Sequence, residues 1–313
     1  MDPITGVKAY KDTTIGMLWA AQRNFSVDYL TMDRLWLDSG IANGIAQNLE
    51  IINPEGSKDS KAWYQLGESK SVLLGDYDVI LMRKDPPFNL EYIYATYILE
   101  VAERQGAIVS NKPQALRDIN EKVYTAWFPD LCPPTLVSSN MQDMLDFQNK
   151  HQTIVVKPLD GMGGQSIFVI KENDGNRQVI LETLTNNGTQ FAMAQKYIPA
   201  IKESGDQRVI VIDGEAIPYA LARMPADGEH RGNLAAGGTG VGTPLTEKKL
   251  AMANEVAVHL KEKGVLFAGL DFIGDYLTEI NVTSPTGIRE LDKQFSLDLG
   301  GQYLDSLLAL ISS

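Results

Sequence analysis

A chain of 313 residues, 44% hydrophobic and 22% charged, is long for one core and ordinary for a soluble globular enzyme, so two or three domains are expected. Its net charge of −12 argues against a nucleic-acid partner, which would want a basic face, but not against small anionic ligands held by a local cluster of cations. There is no apolar run of about 18 residues to span a membrane, Asp2 and Pro3 do not suit a signal peptide, and the lone cysteine, Cys132, excludes an internal disulfide and points to a reducing, cytoplasmic setting.

In chain order, 11–24 reads as a helix capped by Asp12 or Thr13, with Ile15, Leu18, Trp19 and Gln22 at helical spacing, and 27–30 as a short strand. An α/β layer ordinarily places a buried strand before such a helix. Only Met1-Asp2-Pro3-Ile4 stands there, so the opening strand is absent or lies upstream. Residues 33–75 alternate short apolar runs with Gly, Asn and Ser, and read as an irregular hairpin and loop. Asp78-Val79-Ile80-Leu81-Met82 is of buried parallel-strand type. It ends in Arg83-Lys84-Asp85-Pro86-Pro87-Phe88, two cations at a strand's carboxyl end, which is either a ligand loop or a solvated basic one. A helix over 89–105, stopped by Gly106, and a strand at 107–109 complete a strand–helix–strand rhythm that reads as one doubly wound domain to about residue 118.

Beyond it, 120–128 reads as a short helix carrying Lys122, 135–137 as a strand, and Asn140 as the cap of a helix through 150. Two strands then flank the glycine-rich turn 161–164, followed by a helix over 177–187 and a strand over 191–198. A hairpin turns on Asp213-Gly214, six glycines fall within 224–244, and a helix over 246–263 stops at Gly264. A hairpin over 269–283 and helices near 287–294 and 298–311 close the chain.

Three constellations could do chemistry. In the 269–283 hairpin, Glu279 and Asn281 leave one face of a strand. If Gly274-Asp275-Tyr276 all form the loop, Asp271 lies across from Glu279, and two carboxylates with one amide oxygen suit Mg²⁺. A two-residue turn would instead put Asp271 and Glu279 on opposite faces, as in an edge hairpin with solvated acids. The turn at Gly161, Gly163 and Gly164 lacks the Gly-Lys-Ser/Thr of a P-loop and the third glycine of a dinucleotide fingerprint. With Lys157 ahead of it, it reads as a hairpin flap over phosphates, or as a bare glycine turn. Arg223 and Arg231 flank a Gly/Ala-rich loop that suits a lid over a carboxylate, or an exposed loop. His151, His230 and His259 read as surface or packing residues.

The order of these parts resembles the ATP-grasp superfamily. Four segments resemble its bacterial glutathione synthetase family: Leu81-Met82-Arg83-Lys84-Asp85-Pro86-Pro87-Phe88, Val156-Lys157-Pro158-Leu159-Asp160-Gly161-Met162-Gly163-Gly164, Arg231-Gly232-Asn233-Leu234-Ala235-Ala236-Gly237-Gly238 and Leu277-Thr278-Glu279-Ile280-Asn281-Val282-Thr283-Ser284-Pro285-Thr286. The resemblance implies an α/β protein with an ATP-grasp fold. A Rossmann-like domain over 1–118 lacking its first strand would precede a lid subdomain over 119–200 and a metal- and substrate-binding subdomain over 201–313. It implies that Lys122 and Lys157, with the flap glycines, hold ATP phosphates, that Gln195, Lys196, Tyr197 and Ile198 meet the adenine, and that Asp206 faces the ribose. Asp271, Glu279 and Asn281 would hold two Mg²⁺, or Mn²⁺ in their place. Arg208, Arg223 and Arg231 would act on the peptide and its phosphorylated intermediate, with Arg83, Asn233, Ser284, Pro285, Thr286 and Arg289 completing the substrate pocket. The implied reaction is ATP-dependent ligation of γ-glutamylcysteine to glycine by a cytoplasmic homotetramer. Another ATP-grasp carboxylate–amine ligase, or a non-catalytic ATP-binding regulator, is the alternative.

Overall fold

The computed structural model describes residues 1–55, 63–84, 87–161, 164–224 and 239–312. Asp12 accepts from the Ile15 amide and starts α1 (Thr13–Ala21), which buries Ile15, Met17 and Ala20. β1 (Asp28–Tyr29), β2 (Leu35–Asp38), β3 (Ile41–Ile51) and β4 (Tyr64–Leu73) form an antiparallel sheet around β3. This corrects the expectation of an irregular 33–75 region. The inward positions of β3 include Ala42, Gly44 and Ala46, too small to show an apolar alternation. A Cβ at Gly44 would lie 2.7 Å from Leu30 Cδ2, so the small side chain is a packing requirement.

β5 (Val79–Leu81) and β6 (Ile108–Ser110) run parallel, joined by α2 (Leu90–Arg104), whose cap Asn89 accepts from the Tyr92 amide. Among the described residues the parallel sheet stops at these two strands, so the doubly wound layer expected from the rhythm reduces to one strand–helix–strand unit. The short α3 (Pro113–Asp118) follows.

A second antiparallel sheet takes β7 (Thr135–Ser138), β8 (Ile154–Pro158), β9 (Phe168–Ile170) and β10 (Ala192–Lys196) in the order β7-β10-β8-β9. With α4 (Met141–His151) and α5 (Arg177–Leu184) it closes a core of its own around Met144, Ile154, Val156, Leu181 and Ala192. A self-contained core of this size can shift against the rest as a unit.

After α6 (Ile201–Ser204), a five-stranded antiparallel sheet is built from β11 (Asp206–Ile212), β12 (Glu215–Met224), β13 (Thr239–Pro244), β14 (Phe267–Ile273) and β15 (Tyr276–Asn281). Its order is β13-β12-β11-β14-β15, with α7 (Glu247–Glu262) after β13 and α8 (Ile288–Phe295) and α9 (Leu299–Ile311) at the end. Val209, Val211, Leu270 and Phe272 share a core with Val256 and Leu260 of α7. Ile210 and Ile212 leave the other face and pack with residues of α1, α8 and α9. On that same face, two and four residues earlier, stand Arg208 and Asp206. The face therefore turns from apolar to charged along β11 as it passes from the helices to a cavity.

The N-terminal region is fastened to this sheet by polar groups. Asn111 donates to the carbonyls of Phe267 and Val282, both at 2.7 Å, and accepts from the amides of Leu266 and Phe267. Tyr303 Oη donates to Ser110 Oγ at 2.6 Å.

Candidate active site

The 269–283 hairpin turns on two residues, Gly274-Asp275, with Ile273 opposite Tyr276 and Phe272 opposite Leu277. A regular ladder would then send Asp271 and Glu279 to opposite faces. It does not, because Thr278 is an extra residue on β15 and the register slips by one. Asp271 stands opposite Glu279 after all, and Asn281 opposite Gly269. The expected pairing is present, but a bulge rather than a three-residue loop produces it. Thr278 Oγ1 pins the bulge by donating to the Asp271 carbonyl at 3.0 Å.

Four neighbouring strands contribute to one charged face. Arg223 is opposite Asp206 across β12–β11, and Arg208 is opposite Asp271 across β11–β14. Arg208 grips Asp271 with two bonds, Nε to Oδ1 at 2.5 Å and Nη2 to Oδ2 at 2.6 Å. Arg223 Nη2 reaches Asp206 Oδ2 at 2.5 Å and Asp271 Oδ2 at 2.8 Å. Gly269 makes this possible: a Cβ there would lie 2.7 Å from Arg208 Cδ and 2.8 Å from Pro285 Cβ. Burial would raise the Asp271 carboxyl, but Arg208 and Arg223 outweigh it and hold it below the usual range. Burial pushes Asp206 well above that range, against Arg223 and with the like charges of Asp271 and Glu279 adding to it.

The lysines come from elsewhere. Asn120 Oδ1 accepts from the amides of Lys122 and Val123, both at 3.0 Å, and so starts a 3₁₀ turn over Val123–Trp127 in place of the expected helix. Lys122 Nζ donates to Glu121 and, at 2.6 Å, to the Gly161 carbonyl on the flap. Lys157, on β8, reaches Glu279 Oε1 at 3.1 Å. Burial would raise Glu279, and Lys157 followed by Lys122 reverses that. With its amide turned to satisfy both ends, Asn281 accepts from Arg208 Nη2 at 3.2 Å and donates to Glu121 Oε2 at 3.1 Å.

The charged groups of this face, both lysines, Glu121 and Asn281 line one cavity of about 920 Å³. Val155, Ile167, Val169, Ile198, Ile201 and Ile273 give part of its wall an apolar surface beside Gln195, Lys196 and Tyr197. Arg83, Thr283, Ser284, Pro285 and Thr286 line it too. Arg83 is buried and braces that turn, donating to the Pro285 carbonyl at 2.9 Å and to Thr14 Oγ1 at 3.2 Å. Arg289 is placed differently from the expectation. Its guanidinium donates to the Pro54 carbonyl and pairs with Glu55, and it does not line the cavity. Gly163, Arg231 and Asn233 lie outside the described residues. Sequence reasoning missed Glu121, Lys8, Lys11, Asp12 and Glu290, which also line the cavity. Glu121 could have been suspected from its place beside Lys122; for the others no local signal exists.

The sequence profile of the ATP-grasp domain of prokaryotic glutathione synthetases matches residues 121–296, and that of their N-terminal domain matches residues 1–117. This chain belongs to the prokaryotic glutathione synthetase family. The glutathione synthetase of Vibrio vulnificus (strain CMCP6) is 51% identical over 308 residues, covering 98% of this chain and 95% of that one. That of Escherichia coli (strain K12) is 51% identical over 310 residues, covering 99% and 96%. Among solved structures, a Chryseobacterium gregarium RiPP-associated ATP-grasp ligase in complex with ADP and peptide aligns with a TM-score of 0.62 at 15% identity, covering 97% of this chain and 94% of that one. The crystal structure of a D-cycloserine synthetase aligns at 0.59 and 16%, covering 77% and 86%. These likenesses establish the ATP-grasp fold.

The cavity suits the nucleotide and divalent ion such ligases use. Asp206 Oδ1 and Arg223 Nε are buried with no hydrogen-bond partner among the described residues, a seat for one donor and one acceptor of a ligand. Among the described residues no three His, Cys, Asp or Glu side chains gather as a ready cage. The donors present, two carboxylates and a carboxamide, are the hard oxygens that a divalent ion shares with phosphates and water. Cys132 takes no part: its thiol donates to the Thr125 carbonyl at 3.3 Å, and burial pushes it up to about 11. His259 packs beside Tyr124, their polar atoms 2.9 Å apart.

Proposed function

We propose that this chain is an ATP-dependent C–N ligase that joins γ-glutamylcysteine to glycine, yielding glutathione, ADP and phosphate in the cytoplasm. The observation that carries the reading is the single cavity in which the charged face of β12-β11-β14-β15 meets Lys122 and Lys157. The 51% identity to chains named glutathione synthetase supports the choice of substrates.

A free carboxylate is a poor acyl donor, so the cysteinyl carboxylate first attacks the ATP γ-phosphorus, the bond to ADP breaks, and an acyl phosphate forms. The glycine amine then attacks the acyl carbon, phosphate leaves, and the amine proton is released. In this reading Gln195, Lys196, Tyr197 and Ile198 seat the adenine, Asp206 the ribose, and Lys122, Lys157, Gly161 and Gly164 the phosphates. Their task is positioning and charge neutralisation. Mg²⁺, two ions held by Asp271, Glu279 and Asn281, would neutralise phosphate oxygens when bound. Arg208 and Arg223 exchange a carboxylate partner for the developing charge on the acyl phosphate. Arg83, by bracing 283–286, positions the peptide, and the sheet of β7–β10 closes over the acyl phosphate to exclude water. The domain division at about 118 and 200 and a homotetrameric assembly belong to the same proposal.

The test is a coupled assay on the purified chain. Phosphate and glutathione should appear one to one and require ATP, γ-glutamylcysteine and glycine together. Turnover with other acceptors but not glycine would overturn the substrate assignment, and tight ATP binding without substrate-dependent phosphate release would overturn the ligase.

A further inference from the structure

We infer that Asn120 is a positioning residue that sets the distance between Lys122 and Lys157, resting on the reading above that these two lysines hold the ATP phosphates. It does so from outside the cavity, by tying the turn that carries Lys122 to the strand end that carries Lys157.

The two lysines stand on different bodies. Lys157 lies within β8, opposite Met193 of β10, in the sheet that closes a core of its own. Lys122 sits at the head of a turn fastened to the five-stranded sheet: the Ile280 amide, between Glu279 and Asn281, donates to the Glu121 carbonyl at 2.8 Å. Both lysines are buried, so neither can swing far to meet a phosphate. The separation of the two bodies then decides whether one polyphosphate reaches both cations.

The bonds that cross between the bodies here differ in what they engage. Lys122 Nζ donates to the Gly161 carbonyl at 2.6 Å, and Lys157 Nζ to Glu279 Oε1 at 3.1 Å. Both use the ammonium groups that phosphate oxygens would claim, so a bound nucleotide competes with both. Asn120 makes a crossing bond between neutral groups: its Nδ2 donates at 3.1 Å to the carbonyl of Leu159, two residues past Lys157. Its Oδ1 is committed to the other body, accepting from the amides of Lys122 and Val123 at 3.0 Å. These partners fix the amide's orientation, with N–H groups facing one end and a carbonyl the other. A carboxamide suits the place because it offers an acceptor to the turn and a donor to the strand end at once. A nucleotide can therefore take both cations and leave the Asn120 tie in place.

Two variants separate the ends of this side chain. Asn120→Ser keeps an acceptor for the turn and loses the donor, and Asn120→Ala loses both. Each is titrated calorimetrically with MgATP and with adenosine, which has no phosphates. In Asn120→Ser the Kd for MgATP should rise about 3- to 10-fold, the worth of one neutral hydrogen bond, with adenosine binding and the melting temperature unmoved. KM for ATP should rise with it, and KM for glycine should stay. Asn120→Ala should show the same selective loss with a lower melting temperature added. The ratio of MgATP to adenosine affinity is read on whichever variant folds, so either decides the matter. A wild-type ratio, or equal weakening of both ligands, would overturn the tie. Lys122→Met and Lys157→Met test the reading beneath it. If these weaken MgATP selectively and the Asn120 variants do not, the tie alone falls. If neither lysine variant does so, the phosphate assignment falls and the tie with it.

Discussion

Two hairpins meet where Lys157 lies 3.1 Å from Glu279, and they are built on opposite plans. In the β14–β15 hairpin the two strands pair at five positions; buried Asp271 is held by Arg208 and Arg223 of the same sheet, and half-buried Glu279 by Lys157 of β8. In the β8–β9 hairpin the strands pair at three positions, and bonds to the described residues of the turn include Asn120 Nδ2 to the Leu159 carbonyl at 3.1 Å and Lys122 Nζ to the Gly161 carbonyl at 2.6 Å. Acids out of water must have fixed partners or they neutralise. In the proposed ligase a flap that admits the nucleotide must open, and hydrogen bonds such as these can be exchanged as it does so. In that proposal one hairpin holds charge and the other opens over it.

Breaking the rigid side should have the largest effect. Glu279→Gln should lower kcat by on the order of 10²–10³-fold, the scale of losing one preorganised electrostatic group, while the melting temperature stays within a few degrees; unchanged turnover would remove Glu279 from the site. Asp271→Asn leaves Arg208 and Arg223 without their shared carboxylate, and urea melts should show a loss of about 3 kcal/mol. The pH dependence sharpens this. Asp271 titrates below its unfolded value, so its contribution is complete above about pH 4 and fades as pH falls through the lower folded value. The stability gap between variant and wild type should therefore narrow from pH 7 to pH 3, and a constant gap would contradict the ion-pair account.

The flap side should respond differently. Gly164 has φ +76, so Gly164→Ala strains the flap by about 1 kcal/mol. The expected outcome is a several-fold rise in KM for ATP with little change in the global melt. A drop in melting temperature instead would place the flap in the cooperative core. Smallest is Thr278→Val, which deletes one bond to the Asp271 carbonyl and should cost about 1 kcal/mol and a few-fold in rate. Loss of all activity there would mean that the bulge depends on that bond alone.

Much of the scaffold was legible because its signals are local. Asn89 and Gly106 bound α2, Thr246 and Gly264 bound α7, and Asp213-Gly214 turns β11 into β12 as expected. The long β3–β4 hairpin was not, since its inward Ala42, Gly44 and Ala46 are too small to mark a face. Of the site, the cations and the candidate oxygen ligands could be named from motif and resemblance. Arg289 could not be placed, because its partner Glu55 is remote in sequence.

By itself the sequence determined many of the helices and strands outside 33–75, which carboxylates, carboxamide and cations are candidates for the site, and which family they resemble, since these follow from spacing and residue type. Tertiary structure decided that a two-residue turn still aligns Asp271 with Glu279, because Thr278 bulges. It also decided which charges neutralise one another. Register and long-range pairing depend on what packs against each strand and helix, and no window of neighbouring residues carries that information.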